Sequence, residues 1–261
     1  MQHDAWDITV GDGPLVAAAI HDGHEARPEV APLLALGDSD RLREEDPFTA
    51  QWTTVAPTRI IGLRSRFEVD LNRPREKAVY ISPLDAWGLT VWKQTPPSGL
   101  IERSLAEYDR FYAAVRTLIE RLLKRHQRLA IYDLHTYNHR RQGPQAPPAD
   151  WIDHPEVNVG TGTLSDRRRW ASVIDRFIGD LSTVDFLGRK LDVRENIKFR
   201  GGEFARTLHA DFPEQVVVLS IEFKKFFMDE WTGEPDHRQI EAIGTALQAT
   251  TGGMLEELAR L

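Results

Sequence analysis

The residues best suited to chemistry lie where apolar runs stop. Residues 131–139, IYDLHTYNH, end such a run by presenting Asp133, His135, Asn138 and His139. Residues 15–20 form another, which gives way to His21, Asp22, Gly23, His24 and Glu25. Donor atoms at the carboxyl end of a buried strand are held rigidly, as a metal ion or a reacting bond requires. We therefore expect His21 and His135 to meet over one divalent metal ion; the alternative is two ordinary structural histidines. Catalytic zinc takes three protein ligands and keeps a further position for water. The chain has no cysteine, so the third ligand must come from His, Asp or Glu, and His24, Glu25 and Asp46 all qualify.

A third strand end supplies a base. Residues 215–221 contain VVVLSI and run into Glu222. Glu222 could take a proton from the attacking water and pass it to a leaving amine. It could instead form a strand-end ion pair with Lys224 or Lys225. Asn72 and Arg73, with Arg66 and Arg200, could anchor a carboxylate-bearing substrate, because the guanidinium fork matches a carboxylate. Their alternative is surface ion pairing. No serine nucleophile elbow or phosphate loop is present, which weakens acyl-enzyme and nucleotide chemistry.

These groups need a scaffold. Residues 15–20, 129–134 and 215–221 read as buried strands. Residues 28–36 suggest a short helix, and Ser39 or Asp40 could cap the turn carrying RLREEDPFT. Residues 58–63 and 67–71 read as a hairpin or neighbouring strands. The stretch with Trp87, Trp92 and the break at residues 96–99 has no period and suggests a surface excursion that walls a pocket. Leu105, Tyr108, Tyr112, Val115, Ile119 and Leu122 mark a helix over about residues 102–126. Residues 168–181 and a segment with Phe204, Leu208 and Phe212 are helical. Residues 236–261 are helical too, and Gly244 and Gly252–Gly253 predict two pieces. Helix followed directly by strand argues for an α/β architecture.

The 261 residues fit one domain, and 41% hydrophobic with 28% charged residues fits a globular chain. A formal charge of -7 argues against a nucleic-acid partner. No apolar run is long enough for a membrane span and the start lacks the character of a secretion signal, so a cytoplasmic location is expected.

Taken together, IHDGH, EEDPFT, SRFEVDLNRP, YDLHTYN, VNVGTGT, FRGGEF and LSIEF occur in an order that resembles the N-formylglutamate amidohydrolase family. The resemblance implies a zinc carboxypeptidase-like fold, a three-layer α/β/α sandwich with a mixed central sheet. It also implies a zinc-type metal whose activated water cleaves the amide of an N-acylated acidic amino acid. By position, His21 and His135 match the metal-binding histidines, Asp46 the acidic ligand and Glu222 the proton shuttle. Asn72 and Arg73 match the carboxylate-binding pair, with Arg66 and Arg200 weaker matches. Ile20 and Thr136 stand where relatives commonly have Pro and Ser. Two other readings remain: a metallo-carboxypeptidase for short peptides, and a non-catalytic binder of acidic metabolites.

Overall fold

Runs of β-branched and small apolar residues become strands where both faces of a sheet can be covered. The computed structural model describes residues 5–261. In chain order the elements are β1 (Trp6–Thr9), β2 (Leu15–Ala19), α1 (Asp38–Glu44), α2 (Thr49–Trp52), β3 (Thr58–Gly62), α3 (Ser98–Leu123) and β4 (Leu129–Tyr137). They continue with β5 (Val157–Gly160), α4 (Ala171–Thr183), β6 (Val193–Glu195), α5 (Glu203–Asp211), β7 (Val216–Lys224) and α6 (His237–Arg260). The strands form one sheet in the order β1-β3-β2-β4-β7-β5-β6. Its four central strands, β3, β2, β4 and β7, are parallel, whereas β1 joins β3 antiparallel, β5 joins β7 antiparallel and β6 runs parallel to β5. The sheet is therefore mixed, as expected.

Period-two alternation divides the core into two layers. Tyr132, Leu134, Leu219 and Ile221 pack with Phe177 of α4 and Ile243 of α6. Leu129, Ile131, Val216 and Val218 pack on the other face with Phe111 of α3 and Phe204 of α5. Continuing that alternation puts Asp133 and His135 of β4, and Ser220 and Glu222 of β7, on the α3/α5 face. The parallel register then sets His135 beside Glu222 and Asp133 beside Ser220. Both strands run farther than their apolar cores suggested, so His135 and Glu222 lie within the sheet.

Several local expectations are corrected. Residues 67–71 form no strand. Phe67, Val69 and Leu71 are buried, but so are the intervening Glu68 and Asp70, and Glu68 N and Val69 N both turn back to Ser65 O. An apolar/polar alternation here reflects buried ionic partners, with no solvent-facing edge. Ser39 and Asp40 lie inside α1, whose N-cap is Gly37. The segment around residues 28–36 supports only one 3-10 turn, Ala31–Leu33. The C-terminal helix α6 is continuous through all three glycines. Gly253 instead permits close packing, since a Cβ there would lie 2.2 Å from Asp180 Oδ2 on α4. The edge strands β1 and β6 are short and carry no strong apolar run, and the sequence reading missed both. Among the described residues no helix is long and apolar enough to cross a membrane.

Candidate active site

β2, β4 and the loop after α1 converge at the carboxyl ends of the parallel strands. His21, Asp46 and His135 each offer a ligand atom there, all within 4.8 Å of one another, and each residue is 2% exposed. His135 Nδ1 lies 2.9 Å and His21 Nδ1 3.4 Å from Asp46 Oδ2. His21 Nδ1 is buried with no hydrogen-bond partner among the described residues, although its lone pair is a strong acceptor. The far nitrogens are occupied. His21 Nε2 donates to Asp70 Oδ1 at 2.8 Å, and His135 Nε2 to Asp133 Oδ1 at 2.9 Å. A carboxylate behind each imidazole fixes the tautomer that leaves Nδ1 free for a cation. The donor set thus fits a small divalent ion.

The surroundings reinforce that fit. Thr136 Oγ1 donates to Asp46 Oδ1 at 2.9 Å, and Asp46 N donates to His21 O at 2.9 Å. Burial works against ionisation of Asp46, yet the facing imidazoles of His135 and His21 hold its carboxyl well below the usual range. Burial likewise opposes a charge on His135, and the Asp133 carboxylate overrides it to raise the imidazole well above its ordinary value, so a cation bound at Nδ1 would take the place of a proton there. Asp46, Asp70 and Asp133 together make this a place that draws in positive charge. Arg66 balances part of it: Nη2 donates to Asp70 Oδ2 at 2.7 Å, and Tyr80 donates to the same oxygen.

The other two ligand candidates face elsewhere. His24 Nδ1 bonds Glu45 Oε2 at 2.5 Å, and Glu45 also accepts from Ser65. Glu25 is exposed and its backbone bridges to Arg64. Within the acidic run, Glu44 pairs with Arg141 at 2.9 Å, Glu45 anchors the loop and only Asp46 joins the cluster. Lys225 is 1% exposed, and it donates to Arg43 O at 2.6 Å and Glu45 O at 2.7 Å. This ties the end of β7 to the loop that presents Asp46.

A cavity of about 450 Å³ opens over the cluster. Glu222 lines it, partly buried, and forms no ion pair among the described residues. Lys224 Nζ donates to His154 O at 2.6 Å instead, so neither lysine neutralises the carboxyl. Burial, reinforced by Asp46 and Asp133, pushes Glu222 up to about 8. Arg66, Asn72, Arg73 and Arg200 also line the cavity, but with different freedom. The Arg66 fork is committed to Asp70. Asn72 Oδ1 accepts from Phe204 N at 3.0 Å, and its Nδ2 lies 3.4 Å from His135 Nε2. Among the described residues the Arg73 side chain comes no nearer to a carboxylate than 3.9 Å, at Asp70, and it is 39% exposed, which leaves its donors open to a ligand in the cavity. Arg200 is exposed at the rim.

Trp87, Arg141, Lys198 and Lys225 also reach this cavity; the sequence placed Trp87 only in a pocket-walling excursion and Lys225 only as a possible ion-pair partner of Glu222, and gave Arg141 and Lys198 no role. Trp87 sits at φ 52 at the end of a capped 3-10 turn, with the guanidiniums of Arg66, Arg73 and Arg141 4.9, 5.8 and 5.8 Å from its ring centroid. Only its place in the Trp-containing excursion pointed to a pocket wall. Arg141 and Lys198 sit in segments without periodicity, so nothing in the sequence placed them here.

The sequence profile of the N-formylglutamate amidohydrolase family matches residues 13–228. No curated protein sequence gives a significant match. In three dimensions the chain is similar to N-formylglutamate amidohydrolase from Ralstonia eutropha JMP134, with TM-score 0.74, 16% identity and 99% of each chain covered. It is also similar to a gene product from Agrobacterium tumefaciens, with TM-score 0.69, 15% identity and 98% and 97% of the two chains covered. A putative carboxypeptidase A from Shewanella denitrificans OS-217 overlaps at TM-score 0.42 and 13% identity, over 93% of this chain and 57% of that one.

Proposed function

The chain belongs to the N-formylglutamate amidohydrolase family, and from that premise we propose a metal-dependent amidohydrolase acting on an N-acylated acidic amino acid such as N-formyl-L-glutamate. The observation that carries the reading is the unpartnered, buried His21 Nδ1 facing Asp46 and His135, with Glu222 beside them in register. His21, Asp46 and His135 would hold one divalent ion, zinc by the character of two imidazoles and a carboxylate. Bound there, the ion supplies Lewis acidity toward the scissile carbonyl and toward water.

The chain's own groups account for the remaining steps. Glu222 takes a proton from the attacking water and delivers it to the departing amide nitrogen. Its raised proton affinity suits both tasks, and a cation in the adjacent cluster works in the opposite direction, restoring a basic carboxylate near neutral pH. Arg73, with the Asn72 amide and Arg200, receives the substrate carboxylate, and Arg66 acts by orienting Asp70 behind His21. The partner is thus a small carboxylate-bearing molecule.

Protein purified without added zinc should carry close to one divalent ion per chain, and chelation should abolish hydrolysis of N-formyl-L-glutamate. Glu222→Gln should retain the ion while kcat falls roughly 10²–10⁴-fold. Full turnover by metal-free protein would overturn the reading.

A further inference from the structure

Asn138, the residue just beyond β4, is 3% exposed, yet its side-chain oxygen has no hydrogen-bond partner among the described residues. Buried carboxamides without partners are few in native domains, because each forfeits its hydration. Asn138 stands between two cavities. It lines the main one with His135 and Glu222. It also lines a side chamber of about 240 Å³ with Gln142, Pro147, Pro148, Ala149 and His154. Arg141 borders both, so the chamber adjoins the main cavity at Asn138 and Arg141.

The chamber's chemistry narrows what it can take. Pro147, Pro148 and Ala149 are apolar. The chamber segment is tied back where Ala149 N donates to His139 O at 2.8 Å. His154 is held by Lys198 Nζ at 2.6 Å and by Asp150 O at 3.1 Å. A carboxamide offers both donors and an acceptor, so its natural complement is another amide. A formyl group ends at one carbon and one oxygen and would leave such a chamber unfilled.

We propose that the side chamber is an acyl-side subsite in which Asn138 pairs with a second amide of the substrate. The preferred substrates are then acidic amino acids whose N-acyl group is longer than formyl and itself carries an amide. This rests on the amidohydrolase reading above. Water breaks the scissile C–N bond, its hydroxyl going to the acyl carbon and its proton to the nitrogen, and the second amide stays intact.

The test measures kcat/KM of the metal-replete full chain for N-formyl-L-glutamate and for N-acetylglycyl-L-glutamate, cleaved at the glycyl-glutamate bond. The longer substrate should be favoured by about tenfold or more. Asn138→Ala should remove most of that preference, and Ala149→Leu, which fills the chamber from its other side, should do the same. Equal use of the two substrates by the unaltered protein, or a preference that survives both substitutions, would overturn the subsite while leaving the amidohydrolase reading intact. Absence of hydrolysis of either substrate would overturn that reading, and the subsite with it.

Discussion

At the scale of single residues, the two imidazoles are oriented as ligands would need to be by what stands behind them. Asp70 is buried, which disfavours its charge, but Arg66 and His21 hold its carboxyl well below the usual range. An ionised Asp70 keeps the His21 proton on Nε2 and turns the Nδ1 lone pair toward Asp46. Asp133 does the same for His135, and is itself steadied by Ser220 Oγ at 3.0 Å. Outer carboxylates of this kind typically contribute 10–100-fold to metal affinity. Asp70→Asn should therefore weaken zinc binding by roughly that factor, read by competition with a chromophoric chelator. Unchanged affinity would show that His21 needs no such support.

At the scale of elements, the site depends on α5 staying locked to the sheet. His209 on α5 is buried; its Nε2 accepts from Val218 N of β7 at 2.8 Å and its Nδ1 lies 2.8 Å from Thr163 Oγ1. The Val218 N–H fixes the neutral tautomer, since a proton on Nε2 would point donor at donor. Burial pulls the imidazole down to about 4 from its ordinary 6.5. The unfolded chain therefore takes up this proton first as pH falls. The stabilisation is complete above pH 6.5 and disappears progressively toward pH 4, by at most about 3 kcal/mol. Denaturant titrations across that interval should lose this portion of their pH dependence in His209→Gln. An identical pH profile in the variant would show that the helix-sheet contact is insensitive to protonation. The same helix starts at Gly202, where a Cβ would meet the Asn72 amide at 2.2 Å, so the seating of α5 also sets the carboxamide beside His135.

At the scale of the whole molecule, the proposed cation site would link metal binding to the stability of the fold. One sheet gathers β1 through β7, and the buried carboxylates of Asp46, Asp70 and Asp133 meet toward the carboxyl ends of its parallel strands. A ligand that binds only the native state stabilises by about 2.7 kcal/mol at a hundredfold excess over its Kd. For a chain of this size that corresponds to roughly 5–10 °C in Tm. Calorimetry should show a single cooperative transition that drops by about this amount on chelation and returns with zinc. Two separate transitions would argue for more than one folding unit, and an unmoved Tm would argue against a native cation site.

The sequence by itself determined which residues could act. Apolar runs ending in His21, His135 and Glu222 announced strands that finish in functional groups, because burial leaves a periodic mark and polar residues at a strand end break it. The α/β order and the helices at residues 98–123 and 203–211 were legible for the same reason. Tertiary structure alone decided the rest. Strand register set His135 beside Glu222, and the turn after α1 brought Asp46, and neither His24 nor Glu25, up to the two imidazoles. Long-range hydrogen bonds assigned Asp70 and Lys225 their supporting roles. These are pairings between residues far apart in the chain, and local periodicity carries no information about which distant partner will satisfy a buried charge.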